Sequence, residues 1–129
     1  MTAKEKHITI ALDAMGGDYG AESVVSGAAL ALEAHPHVRF LMFGDRDHIG
    51  RILEQYADLR LASEIIHTDL KVNSDDKPSA ALRASKGTSM RLAIEAVEDG
   101  RAQAIVSAGN TGALMALAKM VLKTVPGIH

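Results

Sequence analysis

Residues 104–118 read AIVSAGNTGALMALA, and the reading of this stretch decides the fold. Ala104, Ile105 and Val106 form an apolar run suited to a buried strand. A small polar turn follows, Ser107-Ala108-Gly109-Asn110-Thr111-Gly112. Ala113, Leu114, Met115, Leu117 and Ala118 then make a segment apolar on nearly every side. A strand that enters a glycine-containing turn and leaves it as a helix presents unpaired backbone N–H groups at the helix start. With the positive end of the helix dipole, those groups suit an anion such as phosphate.

The flanking sequence repeats this strand-then-helix pattern. Residues 7–12 (HITIAL) are short, apolar and β-branched, and read as a strand leading into a loop at residues 13–20. Ala21, Val25, Ala28 and Leu32 share one helical face, and Pro36 ends that helix. VRFLMF at 38–43 is a second strand. The helix after it carries Ile49, Ile52, Leu53 and Tyr56 at i, i+3, i+4, i+7 spacing, with Asp45 or Asp47 as its cap. A third strand is expected at 63–67, then a polar surface loop at 68–77. Pro78 opens a short helix to residue 84. A longer helix carrying Met90, Ala93, Ile94 and Val97 stops at Gly100. The fourth strand is expected at 102–107 and the last helix at 111–124, halted by Pro126 and Gly127. The predicted order is β-α-β-α-β-α-α-β-α. Such alternation implies an α/β fold with a mostly parallel sheet and helices on both faces. Ligands of open sheets of this kind bind beyond the carboxyl ends of the strands. The turns at 13–20 and 107–112 both fall there, on the same edge if the strands are parallel.

Composition narrows the function classes. A chain of 129 residues fits one domain able to bury a core. With 47% apolar but only 3% aromatic residues, that core must be built from Ala, Val, Ile, Leu and Met. The formal net charge of −2 gives no reason to propose a nucleic-acid partner. Without cysteine there is no disulfide, thiolate nucleophile or thiolate metal site. Residues 1–6 lack the apolar core of a signal peptide, and no apolar run approaches the ~18 residues of a membrane span. A soluble, cytoplasmic protein is the expectation.

Three clusters carry potential chemistry. At 107–112, Ala108 leaves only Gly109-x-x-Gly112 of the dinucleotide fingerprint, and the NTPase phosphate loop occurs nowhere. An anion turn with Ser107, Asn110 and Thr111 as donors stands beside the alternative of an ordinary βα connection. In Asp13-Ala14-Met15-Gly16-Gly17-Asp18, the glycines let backbone approach a ligand and the carboxylates orient it. Alternatively, Asp18 caps a helix and the glycines make a tight turn. Two carboxylates alone are thin grounds for a metal. The third cluster sets Arg83, Lys86 and Arg91 around Ser85, Thr88 and Ser89. It suits phosphate as a charge-assisted partner, or forms a solvated helix face with Ser85 or Thr88 as a cap. The six histidines show no metal-ligand spacing.

Taken together, DAMGGD at 13–18, Lys77-Pro78, Arg83, Lys86, Ser89-Met90-Arg91 and above all SAGNTGALM at 107–115 resemble the phosphate acyltransferases of bacterial phospholipid synthesis. The resemblance covers nearly the whole chain, with matching spacing between blocks. It implies a three-layer α/β/α fold like that of the phosphate acetyltransferases. The implied activity is transfer of a long fatty acyl chain from acyl carrier protein to inorganic phosphate, giving acyl phosphate. A glycerol-3-phosphate acyltransferase would consume the product. The family implies a homodimer loosely associated with the inner face of the membrane, and no cofactor.

Carried over to this chain, Lys86 and Asn110 are the catalytic candidates. Asn110, Thr111 and Gly112 would hold phosphate or the reacting carbonyl, with Ser107 and Gly109 in the same turn. Lys86 and Arg91 would supply charge and Ser89 a hydroxyl, while Asp13, Gly16, Gly17 and Asp18 form the facing wall. Family members run well over twice this length. Where their pattern continues Gly-Ile-Asp-Arg-Pro, this sequence reads Gly127-Ile128-His129. Residues 1–129 are therefore expected to be the amino-terminal part of such an enzyme, lacking some of the sheet and pocket. The alternatives are a truncated, inactive fragment that at most binds phosphate or a partner, and a phosphate-binding module or sugar-phosphate enzyme of the same architecture.

Overall fold

A computed structural model describes residues 7–16 and 20–123. Four strands, β1 (Ile8–Asp13), β2 (Val38–Gly44), β3 (Ser63–His67) and β4 (Ala104–Ser107), form one all-parallel sheet in the order β3-β2-β1-β4. The helices are α1 (Gly20–Ala34), α2 (Arg46–Leu53), α3 (Ala57–Leu61), α4 (Pro78–Arg83), α5 (Ser89–Glu98) and α6 (Thr111–Leu122). This is the expected α/β fold.

Strand alternation assigns the two faces. Ile10 and Leu12 of β1, with Val38, Phe40 and Met42 of β2, pack against Val25 and Ala28 of α1 and Ile49 and Leu53 of α2. The intervening residues, Ala11, Leu41 and Phe43, point the other way, against Ala93 and Ala96 of α5. Successive crossovers keep one hand. The chain steps outward from β1 to β3 and then returns past β1 to β4, so the reversal moves the helices to the opposite face. A further cluster joins Ala81 of α4, Met90 and Ile94 of α5, and Ala113 and Leu117 of α6.

Two expectations change. The stripe through Tyr56 is broken: α2 stops at Leu53, and i+3 bonds from Gln55 and Tyr56 to the carbonyls of Ile52 and Leu53 tighten its end. Tyr56 keeps its place against the first core, but it heads the separate five-residue helix α3. Amphipathic spacing identified the buried face, which a tight turn preserves, and not the continuity of the helix. The segment 68–77 is mostly exposed, as expected of a surface loop. Yet Thr68 and Val72 are each only 8% exposed, and Val72 belongs to the α4–α5–α6 cluster. The expected stop at Pro126 and Gly127 lies outside the described residues.

Caps explain the other boundaries. Asp45 Oδ1 accepts from the Asp47 and His48 amides at the start of α2, and Thr88 Oγ1 accepts from the Arg91 amide at the start of α5. Among the described residues no helix is long and apolar enough to cross a membrane. The β4 side is the thinly covered one: Val106 is 52% exposed, and Met115 and Met120 stand out from α6 at 66% and 46%.

This asymmetry gives a stability contrast. Phe40→Ala is expected to lower unfolding free energy by about 3–5 kcal/mol, because Phe40 is buried between sheet and α1. Val106→Thr should change it by less than about 0.5 kcal/mol. Urea unfolding of the two variants measures the difference.

Candidate functional site

The reversal of the chain between β3 and β4 makes β1 and β4 neighbours whose helices leave in different directions. A crevice opens at their carboxyl ends, where open α/β sheets take ligands. Parallel register sets Asp13, the last residue of β1, beside Ser107, the last of β4. Asp13 shares the face of Ala11, so its side chain enters beneath the start of α5.

There the carboxylate is only 2% exposed and accepts three hydrogen bonds. Ser89 Oγ donates to Oδ1 at 2.6 Å, Ser107 Oγ donates to Oδ2 at 2.9 Å, and the Met15 amide donates to Oδ1 at 3.1 Å. Ser107 Oγ in turn accepts from the Gly109 amide at 3.1 Å. Burial of a carboxylate is costly unless its oxygens are satisfied, and these donors satisfy them. The consequence is mechanical. One side chain ties together β1, β4, α5 and the first half of the 107–112 turn.

Glycine permits the close approach that completes this knot. A Cβ on Gly16 would lie 2.9 Å from both Asp13 Oδ2 and the Gly109 amide nitrogen, and one on Gly109 would come within 3.3 Å of Gly16 Cα. The two expected turns therefore touch through backbone. Gly112 faces a different neighbour, since a Cβ there would press on Pro78 Cγ at 3.1 Å.

Asp13, Gly16, Ser89, Ser107 and Gly109 are thus brought together; Gly17 and Asp18 lie outside the described residues. Asn110 caps α6, its Oδ1 accepting from the Ala113 amide at 3.0 Å, while Nδ2 donates to the carbonyls of Asn73 (3.1 Å) and Asp76 (2.7 Å). Thr111 and Gly112 are exposed on the first turn of α6. Among the described residues their amides have no acceptor, so this twelve-residue helix presents open donors at its positive end.

The start of α5 differs, because its own chain takes all but the buried Met90 amide of its first turn. The Ser89 amide donates to Leu70 O at 2.9 Å, and Thr88 takes the Arg91 and Leu92 amides. The Arg91 guanidinium is turned to Ser85 Oγ (2.9 Å) and Glu95 (3.0 Å) rather than to the Asp13 crevice. Lys86 is exposed on the turn between α4 and α5, and has no carboxylate within 4.0 Å among the described residues. Arg83 is exposed in the last turn of α4.

Sequence reasoning missed the segment 68–77 as part of this edge. Thr68 Oγ1 donates to Gly87 O at 2.6 Å, Val72 is buried, and Lys71, Asn73, Ser74 and Asp75 face Met15 and Gly109 across a cavity of about 250 Å³. The available signal was the run Asn73-Ser74-Asp75-Asp76, residues that bond readily to nearby backbone. A larger cavity, about 780 Å³, lies between α1 and α3 at the amino edge of the sheet, away from the switch point. Among the described residues no three His, Asp or Glu side chains converge as a metal set.

The family model described as "Fatty acid synthesis protein" matches residues 8–129. Curated relatives named phosphate acyltransferase include that of Parvibaculum lavamentivorans, 55% identical over 95% of this chain and 34% of the relative. The Rhodopseudomonas palustris (strain BisA53) protein is 55% identical over 94% of the chain and 35% of its own length. The Azorhizobium caulinodans protein is 56% identical over 94% and 34%. The chain spans about a third of the length of these relatives.

Loss of the knot is expected to be costly. Asp13→Ala leaves buried hydroxyls and an amide without their acceptor and should destabilise by roughly 1–3 kcal/mol. Gly16→Ala should cost a similar ~1–3 kcal/mol by forcing the two turns apart. Gly27→Ala, a helical site with open space around it, should be neutral or stabilise by up to about 1 kcal/mol in the same urea titration.

Proposed function

The chain belongs to the fatty acid synthesis protein family, and from that membership we propose that it carries the amino-terminal part of an enzyme transferring a fatty acyl group from acyl carrier protein to inorganic phosphate. The observation that carries the reading is the open first turn of α6. The Thr111 and Gly112 amides, without an acceptor among the described residues, and the Thr111 hydroxyl stand at a helix N-terminus, on the switch-point edge of a parallel sheet. The name shared by the relatives fits phosphate as acceptor.

The chemistry asks little of the protein in covalent terms. Phosphate is already anionic near neutral pH, so one of its oxygens attacks the thioester carbonyl directly. A C–O bond forms, the C–S bond breaks, and the carrier thiolate leaves and takes a proton from solvent. No serine or cysteine nucleophile is required. Positioning the phosphate and stabilising the developing oxyanion are what remain, and fixed amide donors with a nearby cation serve both. In this reading Thr111 and Gly112 hold phosphate, and Lys86 or Lys71 supplies positive charge. Ser89, Ser107 and Asp13 keep the turn in place. The same reading takes acyl carrier protein and a second copy of the chain as partners, and places the enzyme in the cytoplasm, loosely at the membrane surface.

A second reading is favoured by the exposed Val106, Met115 and Met120 on β4 and α6: the 129-residue chain binds phosphate without turnover.

Titration of the isotopically labelled chain with inorganic phosphate should move the Thr111 and Gly112 amide resonances saturably. Unchanged resonances there, or a preference for nucleotide over phosphate, would overturn the assignment. Release of carrier thiol from acyl carrier protein plus phosphate separates the two readings: turnover supports the transferase, whereas saturable binding with none supports the second.

A further inference from the structure

Both amide hydrogens of Asn110 and its carbonyl oxygen are engaged within the chain. Its Oδ1 caps α6 through the Ala113 amide, and its Nδ2 holds the carbonyls of Asn73 and Asp76. Those two residues also brace one another: the Asn73 amide donates to Asp76 Oδ2 at 3.1 Å, and the Asp76 amide to Asn73 O at 3.2 Å. The segment 68–77 is pinned at its other end by Thr68 to Gly87 and by the Ser89 amide to Leu70, with Val72 buried between the pins. It is a strap drawn across the carboxyl edge, and it forms the wall of the 250 Å³ cavity opposite Met15 and Gly109.

We infer that Asn110 is a positioning residue: it acts by latching this strap against the α6 turn, with Asp76 as its partner, and not by touching the bound anion. The inference rests on the phosphate reading of the α6 turn. A side chain whose donors already serve two backbone carbonyls has no hydrogen left for a phosphate oxygen. Fixing the strap, by contrast, sets the width of the cavity beside Gly109 and the approach of Lys71.

Two variants separate these roles. Asn110→Ser keeps a good helix cap without adding charge but lacks the reach to hold the strap. Asp76→Ala removes the brace and leaves the α6 turn unaltered. Hydrogen exchange and inorganic phosphate titration are measured on both. In Asn110→Ser the Asn73 and Asp76 amides should exchange about tenfold faster, while the Ala113 amide stays protected. Both variants should weaken phosphate binding several-fold and to a similar degree. Weaker binding in Asn110→Ser with strap exchange unchanged, or with no effect in Asp76→Ala, would show direct contact with the anion and overturn the inference. Faster strap exchange with phosphate binding intact would overturn it as well. Failure of the parent chain to bind phosphate instead overturns the proposed function, and with it the strap's role at a phosphate site. The exchange data still report whether Asn110 holds the strap.

Discussion

A carboxylate can sit inside a protein only where hydrogen-bond donors replace the water it has lost, and Asp13 meets that condition with groups from three separate elements. Its donors come from the start of α5, the end of β4 and its own turn. The sheet order brings β1 beside β4; the carboxylate then holds the two strand ends and the helix at fixed separation. Everything at the carboxyl edge inherits that geometry. Ser107, oriented by Asp13, accepts from the Gly109 amide, and the paired approach of Gly16 and Gly109 needs both turns to be held. The acid is therefore a fastener. Its negative charge also argues against direct contact with an anion; the amides without an acceptor among the described residues lie at the far end of the 107–112 turn.

Two of the helices that begin at this edge, α5 and α6, are finished differently. The first turn of α5 is capped by Thr88 and stopped by the Leu70 carbonyl, whereas α6 keeps two amides without an acceptor among the described residues. Chain connectivity explains the contrast. The strap after β3 must pass the start of α5 to reach α4, and in passing it supplies the carbonyl that closes α5. It then packs Val72 toward α6 and is hydrogen-bonded by the Asn110 side chain, which takes strap carbonyls as acceptors and leaves the backbone donors of Thr111 and Gly112 without an acceptor among the described residues.

Much of the fold was legible because its determinants are local. β-Branched runs marked the strands, helical spacing marked the buried faces of α1, α2 and α5, and Asp45 and Thr88 occupy the cap positions their side chains suit. The failures have the same origin. Tyr56 lies on the correct face of a pattern that continues past the end of α2, since spacing reports which way a side chain points and not whether the backbone turns between. Residues 68–77 carry two apolar side chains, Leu70 and Val72, in a polar run. No period could show that Val72 enters a core built from three helices far along the chain.

For the site, the sequence alone determined which residues stand at strand ends and helix starts: Asp13, Gly16, Ser89, Ser107, Asn110 and Thr111 follow from where the periodic segments stop. Tertiary structure alone decided which of them meet. Asp13 reaches Ser89 and Ser107 across 76 and 94 residues, and Asn110 reaches back 34 and 37 residues to the strap. A hydroxyl or amide bonds to any acceptor within about 3 Å. Only the strand order and the direction of each crossover settle which acceptor that is, and neither is written in any local stretch of the chain.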